Sequence, residues 1–456
     1  MVTKGIFQRL FWSCIYVILI SYTATIVATL WGKFLSHPTV TSLVSSTYPV
    51  NKVPFPGVAI CSLNKLSKKR ARNFANRIAN VTRRNPKEIM NYMRFIGQLH
   101  DFDFEPSSVS QLLEFQNILD LMQITVTDLA KKIATPCEEL LRSCFWRNVE
   151  VNCSTIFSMR LTHGGYCCVF NYVKITSDLN NRIEEKPITT DAGVENGLYV
   201  AIANNFPDYY YTTLSSPGAM ISVFVPTDYP DKPSGAVTEI LVPPNSENFV
   251  EIVPTTLRSV RDVANYPVAK RGCLFDKERI TSFQRIYSQS DCNVDCRMMS
   301  IQAMCHCIPF MIPFSNSDTV CTLADIPCLN RYRDKWNSLF PYGEDIGPYL
   351  NKEKQDSLRC DKKCYPPCEE TVYEAFATSF PIFNKTQKDG NLTRIYLYYL
   401  NRFSKVYRQD VVYYWFEVLS NFGGIFGIFI GWSLISMIQF TLYYFQKFVE
   451  KLTKMG

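Results

Sequence analysis

The chain has 456 residues, of which 47% are hydrophobic and 20% are charged, and this composition excludes an intrinsically disordered protein. Its net charge of +7 does not indicate nucleic-acid binding, because more than half of the excess lies in the two short tails, which carry five basic residues and one acidic residue. The segment between two long apolar runs carries 43 basic and 40 acidic residues. Basic tails beside apolar runs are typical of the cytoplasmic flanks of membrane spans. We therefore expect the lipid bilayer as a partner, and no nucleic acid.

The first apolar run, residues 10–32, has 23 residues without a charge and follows a basic leader of nine residues. A signal peptide is the alternative interpretation, but the run is longer than the roughly 7–15 residues of a signal core, and no clean cleavage site follows it. Trp12 and Trp31 lie near its two ends, as interfacial anchors do. We predict a retained transmembrane helix over residues 10–32, with residues 1–9 as a short cytoplasmic tail.

The second apolar run, residues 418–445, has 28 residues without a charge and exceeds the ~20 that span a bilayer. On a helix, Gly423, Gly424, Gly427 and Gly431 would form a groove almost without side chains. This spacing is typical of a seam for helix packing, and equally of a backbone that approaches a neighbouring subunit or a passing ion. We predict a second span here, a cytoplasmic tail over residues 446–456, and both termini in the cytoplasm.

Residues 33–417 should then lie outside the cell, and the cysteines agree with this topology. Sixteen of the 17 cysteines fall in this segment, and a dense, even set in an exported domain indicates a disulfide framework. A zinc site using Cys305 and Cys307, or Cys292 and Cys296, is the less favoured alternative in an oxidising compartment. The segment also holds four glycosylation sequons, at Asn80, Asn152, Asn384 and Asn391.

The extracellular segment changes character along its length. A short buried strand is predicted at Val58–Cys61, and later strands at Gly197–Ala203, Ala219–Val225, Val237–Val242, Phe249–Val253 and Thr393–Leu400, in a region that we interpret as antiparallel. Helical spacing recurs at Ser67–Val81, Lys87–Leu99, Val109–Met122 and Val126–Ile133, and Asp-capped helices are predicted at Asp276–Gln289 and Asp291–Ala303. We find no catalytic or nucleotide-binding motif, and the four histidines have no metal-ligand spacing. We therefore predict no enzyme, no catalytic residue, no cofactor and no metal.

Several stretches together resemble the epithelial sodium channel/degenerin/acid-sensing ion channel superfamily, and most of all its insect pickpocket branch. They are Phe55–Asn64, Gly165–Asn171, the cysteine pattern from Arg271 to Pro309, and the sequence Gly431-Trp432-Ser433, which fits the family's G-x-S signature. They occur in the family's order and cover the chain nearly end to end.

The resemblance implies a membrane α+β fold in which two transmembrane helices flank a large disulfide-rich ectodomain in a homotrimer or heterotrimer. Its parts would be a helical finger (about 66–160), palm and β-ball strands (161–272), a disulfide-rich thumb with a knuckle (273–370), and a palm strand and wrist (371–417). It implies a plasma-membrane, sodium-selective, amiloride-sensitive cation channel, with permeant Na⁺ in place of any cofactor. An extracellular chemical or mechanical stimulus would open it.

The resemblance also implies roles for residues of the second span. Gly431, Trp432 and Ser433 would select ions, Ser420 would mark the gate, and Gly423, Gly424 and Gly427 would allow close helix packing in the pore. The family's disulfide ladder implies the pairs Cys61–Cys167, Cys137–Cys144, Cys273–Cys368, Cys292–Cys364, Cys296–Cys360, Cys305–Cys328 and Cys307–Cys321. The two cysteines that remain, Cys153 and Cys168, would pair with each other.

The chain departs from the family pattern at three points. The His-Gly motif expected in the N-terminal tail is missing, Gln439 stands where an acidic residue commonly follows G-x-S, and Pro267–Lys270 lacks the thumb tryptophan of acid-sensing members. We therefore expect weaker cation binding in the inner pore and no direct proton gating. A silent or auxiliary subunit is the first alternative. A purinergic-type channel, which would lack G-x-S, and a two-span non-channel receptor or ectoenzyme are the others.

Overall fold

The structure is a computed structural model, and it describes residues 2–36, 38–173, 187–235, 237–281, 286–313, 319–337, 358, 360, 364–383, 391–431 and 433–453. The chain divides into two units. The first comprises Met1–Ser42, Ser259–Gly272 and Arg408–Gly456, and the second comprises Leu43–Arg258 and Cys273–Tyr407.

The described helices fall into an apolar set at the chain ends and a set of helices between them. In chain order they are α1 (Val2–Ser36), α2 (Lys68–Thr82), α3 (Pro86–Tyr92), α4 (Arg94–Asp101), α5 (Val109–Leu121), α6 (Val126–Ile133), α7 (Cys137–Leu140), α8 (Cys153–Ile156), α9 (Val268–Arg271), α10 (Gln289–Cys305), α11 (Ile326–Arg331), α12 (Arg333–Asn337), α13 (Trp415–Ile430) and α14 (Leu434–Thr453).

The described strands form three sheets. They are β1 (Thr39–Pro49), β2 (Gly57–Ser62), β3 (Asn64–Ser67), β4 (Leu141–Trp146), β5 (Val149–Val151), β6 (Phe157–Thr162), β7 (Gly165–Phe170), β8 (Leu198–Ala203), β9 (Tyr209–Thr212), β10 (Ala219–Phe224), β11 (Val237–Val242), β12 (Ser246–Ser259), β13 (Glu370–Pro381), β14 (Leu392–Tyr399) and β15 (Phe403–Val411). The largest sheet has the order β1-β15-β12-β14-β8-β4-β5, with β13 also paired to β12. The others are β11-β10-β2-β7-β6 and the pair β3-β9.

Strand β12 packs one of its faces on the core of the protein. From Ser246 to Thr256 every second residue is buried, as expected for a strand with one face on the core. The region is not wholly antiparallel as predicted, because β12 and β14 run parallel, with Phe249 opposite Tyr396. In the sequence β13 lies between these two strands, so the chain from β12 to β14 is long enough for the crossover that a parallel pair requires.

Local signals explain the helices of the second unit. The Ser67 hydroxyl caps α2 by accepting a hydrogen bond from the Arg70 N–H (3.2 Å), and Thr125 caps α6 in the same way from the Asp128 N–H (3.1 Å). The stretch predicted as one helix at Lys87–Leu99 is two, because α3 ends at Tyr92 and α4 begins at Arg94. The helices share one apolar core with α10, α11 and α12, in which Phe115, Ile301 and Trp336 are buried.

The Phe55-Pro56-Gly57 turn holds the sheets of the second unit together. The Phe55 ring is fully buried and lies 5.1 Å from the Trp146 ring, and the hydroxyls of Tyr373 and Tyr399 both donate to the Pro54 carbonyl (2.8 and 2.7 Å). A side chain at position 57 would be 2.6 Å from the Phe224 ring, so glycine is required by close packing.

The predicted helix at Asp276–Gln289 is wrong for the described residues, since 276–281 and 286–288 are turns or irregular. The next helix, α10, begins at Gln289 and not at Asp291, because the Ser288 hydroxyl accepts from the Asp291 N–H (3.1 Å) and provides the N-cap. Asp291 therefore lies in the first turn of α10.

Eight disulfides link all 16 cysteines of residues 33–417. Six are the pairs implied by the resemblance: Cys61–Cys167, Cys273–Cys368, Cys292–Cys364, Cys296–Cys360, Cys305–Cys328 and Cys307–Cys321. The sulfur atoms considered for zinc are thus all in disulfides.

The expected pairs Cys137–Cys144 and Cys153–Cys168 are wrong. The structure joins Cys137 to Cys168 and Cys144 to Cys153, with Cα–Cα distances of 5.6 and 5.3 Å. The reason is the β4–β5 hairpin, in which Cys144 pairs with Val151 and so lies beside Cys153, just beyond β5. Cys137, in α7, is left to meet Cys168 in β7.

Candidate functional site

The candidate pore segment is the C-terminal apolar run, and its first part forms α13. The helix begins after Tyr414, whose N–H donates to the Glu417 carboxylate at 3.0 Å. An acidic residue in the first turn suits the positive end of the helix dipole. Glu417 is also the last charged residue before the uncharged run, so the polar start of the helix and its apolar body are separated within one turn.

The helix ends within the uncharged run, at Ile430. Gly431 has φ +73° and ψ 16°, and its N–H donates to the Phe426 carbonyl. This left-handed conformation would cost another residue about 1–2 kcal/mol, whereas glycine adopts it freely. Trp432 lies outside the described residues.

A new helix, α14, starts after Ser433. The Ser433 hydroxyl accepts from the Ser436 N–H (3.2 Å), and its carbonyl accepts from the Met437 N–H (3.1 Å), so Ser433 is the N-cap. The two parts of the run are bent by 75°. The structure thus explains why glycine and serine occur at these two positions: Gly431 ends α13, and Ser433 begins α14.

The glycines predicted for packing, Gly423, Gly424 and Gly427, are exposed along α13. A Cβ on Gly423 or Gly424 would find no heavy atom within 4 Å. The contacts with α1 are aromatic instead, with Tyr22 and Phe429 ring centroids 5.3 Å apart and those of Trp31 and Phe422 6.2 Å apart. Within the described residues of the chain, the glycine surface thus has no packing partner, and Ser420 is exposed as well.

Two stretches satisfy the length and apolarity of a membrane span among the described residues. One is the helix segment Leu10–Ser36, with mean hydropathy 1.9, and the other is the bent pair Trp415–Ile430 and Ile435–Glu450. Residues 418–445 contain no charge, so the groups available to a cation at the break are carbonyl and hydroxyl oxygens. Such oxygens replace the hydration shell of an alkali-metal ion.

Among the glycosylation sequons, Asn80, Asn152 and Asn391 are exposed, and Asn384 lies outside the described residues. The Asn152 side chain is engaged in capping, since its oxygen accepts from the N–H of Ser154 at 3.1 Å. Asn80 and Asn391 are thus the better placed of the three for modification.

The sequence analysis missed a buried polar cluster between the β10–β11 connection and α10. Arg297 forms an ion pair with Asp231, and the His163 Nδ1 lies 3.3 Å from the same carboxylate. Burial raises the pKa of Asp231, but Arg297 and His163 lower it by more, so the net pKa falls well below the usual range. No spacing signal links residues 66 positions apart, and only the fold brings them together.

The comparisons with known proteins agree along the whole chain. The family described as "Amiloride-sensitive sodium channel" matches residues 1–443. The chain is 24% identical to "Sodium channel protein Nach" of Drosophila melanogaster, over 97% of this chain and 83% of that protein. It is 26% identical to "Pickpocket protein 11" of the same fly (95% and 70% covered), and 24% identical to "Degenerin-like protein unc-105" of Caenorhabditis elegans (74% and 39%).

These matches fit the features already described, namely an N-terminal apolar helix, a disulfide-rich mixed α/β region and a broken C-terminal apolar helix. They also confirm the predicted resemblance to pickpocket proteins and the prediction that the chain is not an enzyme. The chain belongs to the amiloride-sensitive sodium channel family, and is therefore related to ion channel subunits.

Proposed function

We propose that the chain is a subunit of a sodium-selective, amiloride-sensitive cation channel of the plasma membrane, opened by an extracellular chemical or mechanical stimulus. The observation that carries this proposal is the helix break at Gly431 and Ser433. A break in the middle of a 28-residue uncharged run leaves backbone groups without helix partners. In a membrane such groups are tolerated only where they face protein or a water-filled path.

The proposed pore requires more than one copy of this segment. The exposed glycines of α13 lack partners in the described chain, and small residues allow helices of neighbouring subunits to approach closely. In a homotrimer or heterotrimer, three breaks would form a ring in which the carbonyls of Gly431 and Trp432 and the Ser433 hydroxyl replace water around Na⁺. Ser420, three turns before the break, would mark the gate.

The same proposal divides the chain between compartments. Residues 10–32 and 418–445 would span the bilayer, with residues 1–9 and 446–456 in the cytoplasm. Residues 33–417 would be extracellular. The helices α2–α6 correspond to the proposed finger, the region around α10–α12 to the thumb, and the sheets to the palm and β-ball.

Replacement of Ser433 tests the pore assignment. In voltage-clamped oocytes that express the chain alone or with related subunits, Ser433→Ala should lower the Na⁺/K⁺ permeability ratio about tenfold, equivalent to about 1.4 kcal/mol. The expected reason is the loss of one oxygen ligand from each subunit. Thr441→Val is the matched control, because the Thr441 hydroxyl donates to the Met437 carbonyl further along α14 and does not contact Ser433.

A related measurement separates the channel from its alternatives. Gly431→Ala should also shift the reversal potential, because it strains the left-handed residue that ends α13. Unaltered reversal potentials in both variants would rule out the pore assignment. The chain could also give a current only when a second subunit is expressed with it. If Ser433→Ala then changes the Na⁺/K⁺ permeability ratio of that current, the chain is a pore-lining subunit of an obligate heteromer and not a silent subunit.

A further inference from the structure

The second unit contains a cleft of about 470 Å³ that the proposed pore does not use. Its walls come from the end of α4, the β6–β7 turn, β10 and β11, α10 and α12. This volume lies within the roughly 300–1,000 Å³ of small-molecule sites. The cleft therefore has the size to enclose a ligand of one or two rings.

One side of the cleft is apolar. It is lined by Phe102, Met311, Ile312, Leu214 and Leu241, with the ring of Trp336 at its base. The Trp336 ring is itself buried, and its indole N–H is engaged with the Ser300 hydroxyl at 3.3 Å, so it presents a fixed surface. Rigid aromatic walls of this kind favour a flat or compact apolar body.

The lining also includes a lysine whose hydrogen-bond acceptors are neutral. The Lys65 Nζ donates to the Gly164 carbonyl at 2.8 Å and to the Ser62 carbonyl at 3.4 Å, and both acceptors are neutral. Burial lowers the pKa of Lys65 to about 8, with partial opposition from Glu239 and Asp101, so the amine is still mostly protonated at neutral pH.

The carboxylates that face Lys65 are engaged elsewhere. Glu239 forms an ion pair with Lys232 (2.6 Å), and Asp101 accepts hydrogen bonds from the Tyr211 hydroxyl (3.1 and 3.0 Å). The third nearby carboxylate, Asp231, pairs with Arg297. The side chains that line this part of the cleft thus leave Lys65 with a positive charge toward the cavity.

The neighbouring His100 has an unused polar atom. Its Nδ1 is inaccessible to solvent and has no hydrogen-bond partner among the described residues. Burial is the largest cause that lowers the pKa of His100, to about 3, so the ring is neutral and retains one donor and one acceptor nitrogen. The neutral ring therefore adds no charge to the lining of the cleft.

We propose that this cleft binds a small amphipathic organic anion, with its acidic group on Lys65 and its apolar body against Phe102, Met311 and Trp336. An anion is favoured over a cation because the side chains that line the cleft include four Lys or Arg residues but only two carboxylates. The inference names a chemical class for the extracellular stimulus of the proposed channel. Only the gating role of the ligand rests on the proposed function, because binding itself is measurable without current.

Binding calorimetry on the full-length chain in lipid nanodiscs tests the proposal, with empty nanodiscs as the blank. The probes are 2-naphthoate, the neutral 2-naphthalenemethanol and the cationic 2-naphthylmethylammonium. Naphthoate should bind at least about tenfold more tightly than the alcohol, the usual scale of one charge-assisted hydrogen bond, and the ammonium should bind most weakly. Equal binding of the three, a preference for the ammonium, or no saturable binding would overturn the proposal.

Variants locate the site. Lys65→Met should abolish the preference for naphthoate, and Leu214→Trp, which fills the cleft, should weaken all three probes. Lys69→Met is the matched control, because Lys69 is exposed four residues away and does not line the cleft. Naphthoate binding unchanged by Lys65→Met would overturn the assignment. If that variant does not fold, the order of the three binding affinities on the unaltered chain decides whether the cleft prefers an anion. If naphthoate binds but no current is found, the cleft is a binding site without a gating role. If a current is found but no probe binds, the proposed binding site is wrong and the proposed channel function stands.

Discussion

At the scale of single residues, the most unusual group is the acidic pair Asp228 and Asp291. Both carboxyls are buried, and their partners are neutral. The Ser290 hydroxyl donates to Asp228 (2.7 Å), and the Tyr229 N–H donates to one Asp291 oxygen (2.8 Å), while the other oxygen is buried without a partner. Burial raises the pKa of both, that of Asp228 to about 6. The pair therefore favours the protonated form in the folded protein.

This shift predicts a pH-dependent effect of Asp228→Asn. A carboxyl whose folded pKa lies above its ordinary 3.8 stabilises the fold fully at low pH, and this contribution is lost as the pH rises through about 6. Above that window the buried charge costs up to about 3 kcal/mol. The amide should therefore raise the melting temperature at about pH 7.5 and change it little at about pH 4.5.

The measurement is thermal unfolding of the full-length protein in detergent, followed by intrinsic fluorescence at both pH values. Glu370 also faces the pair, and burial together with Asp228 raises its pKa to about 7, so its own titration adds a background near neutrality. Asp334→Asn, on the exposed face of α12, is the control and should have no effect at either pH. An equal gain at both pH values for Asp228→Asn would contradict the shifted pKa.

At the scale of elements, the sequence predicted best where the signals were local. Periodicity predicted α5 and α6 to within one residue at each end, because their core residues and the Thr125 cap are all close in the chain. The helix predicted at 276–289 is wrong for its described residues, because Asp276, interpreted as a helix cap, lies in a turn instead. The parallel pairing of β12 with β14 depends on contacts nearly 150 residues apart, which no local pattern encodes.

The candidate pore segment shows the same division. Glycine spacing predicted an unusual helix surface, and the G-x-S resemblance singled out Gly431 and Ser433. Neither predicted that Gly431 and Ser433 act as the two caps, because capping depends on the φ of one residue and the hydroxyl direction of the other. The cleft around Lys65 could not be predicted at all, because its walls come from six separate elements.

The two disulfides that differ from the expected pairs, Cys137–Cys168 and Cys144–Cys153, predict a specific pattern of linked peptides. Arg142, Arg147 and Arg160 allow trypsin to separate Cys137, Cys144 and Cys153, whereas Cys167 and Cys168 stay on one peptide. Mass spectrometry of the unreduced digest should find that peptide linked to those of Cys61 and Cys137, and Cys144 linked to Cys153 alone. A link between the peptides of Cys153 and Cys168 would contradict the structure and support the family pattern instead.

The same bridges predict an order of stability. Loop-closure entropy makes the loss of Cys144–Cys153, nine residues apart, cost about 2.5 kcal/mol, whereas the loss of Cys61–Cys167, 106 apart, costs about 4.7 kcal/mol. Double alanine variants of each pair, compared by their midpoints of denaturant unfolding, should follow this order. A larger loss for the short loop would mean that local packing at α8, and not chain entropy, dominates.

At the scale of the whole molecule, charge and covalent chemistry divide the chain in the same way. The basic tails lie outside the two apolar stretches, and all disulfides and sequons lie between them. Disulfides persist in oxidising compartments, and basic flanks stay in the cytoplasm. Two independent physical constraints thus support the proposed topology, in which residues 33–417 lie on one side of a bilayer and both tails on the other.

Glycosylation mapping tests this two-span topology. In microsomes, Asn80→Gln and Asn391→Gln should each remove one endoglycosidase-sensitive glycan, because both side chains are exposed in a segment that faces the lumen. Asn76→Gln, also exposed on α2 but outside a sequon, should remove none. A new sequon on a flexible extension after Gly456 should stay unmodified. Modification of that extension would mean that the bent pair of helices α13 and α14 enters and leaves the bilayer on the same side, and the proposed pore would then lack its inner half.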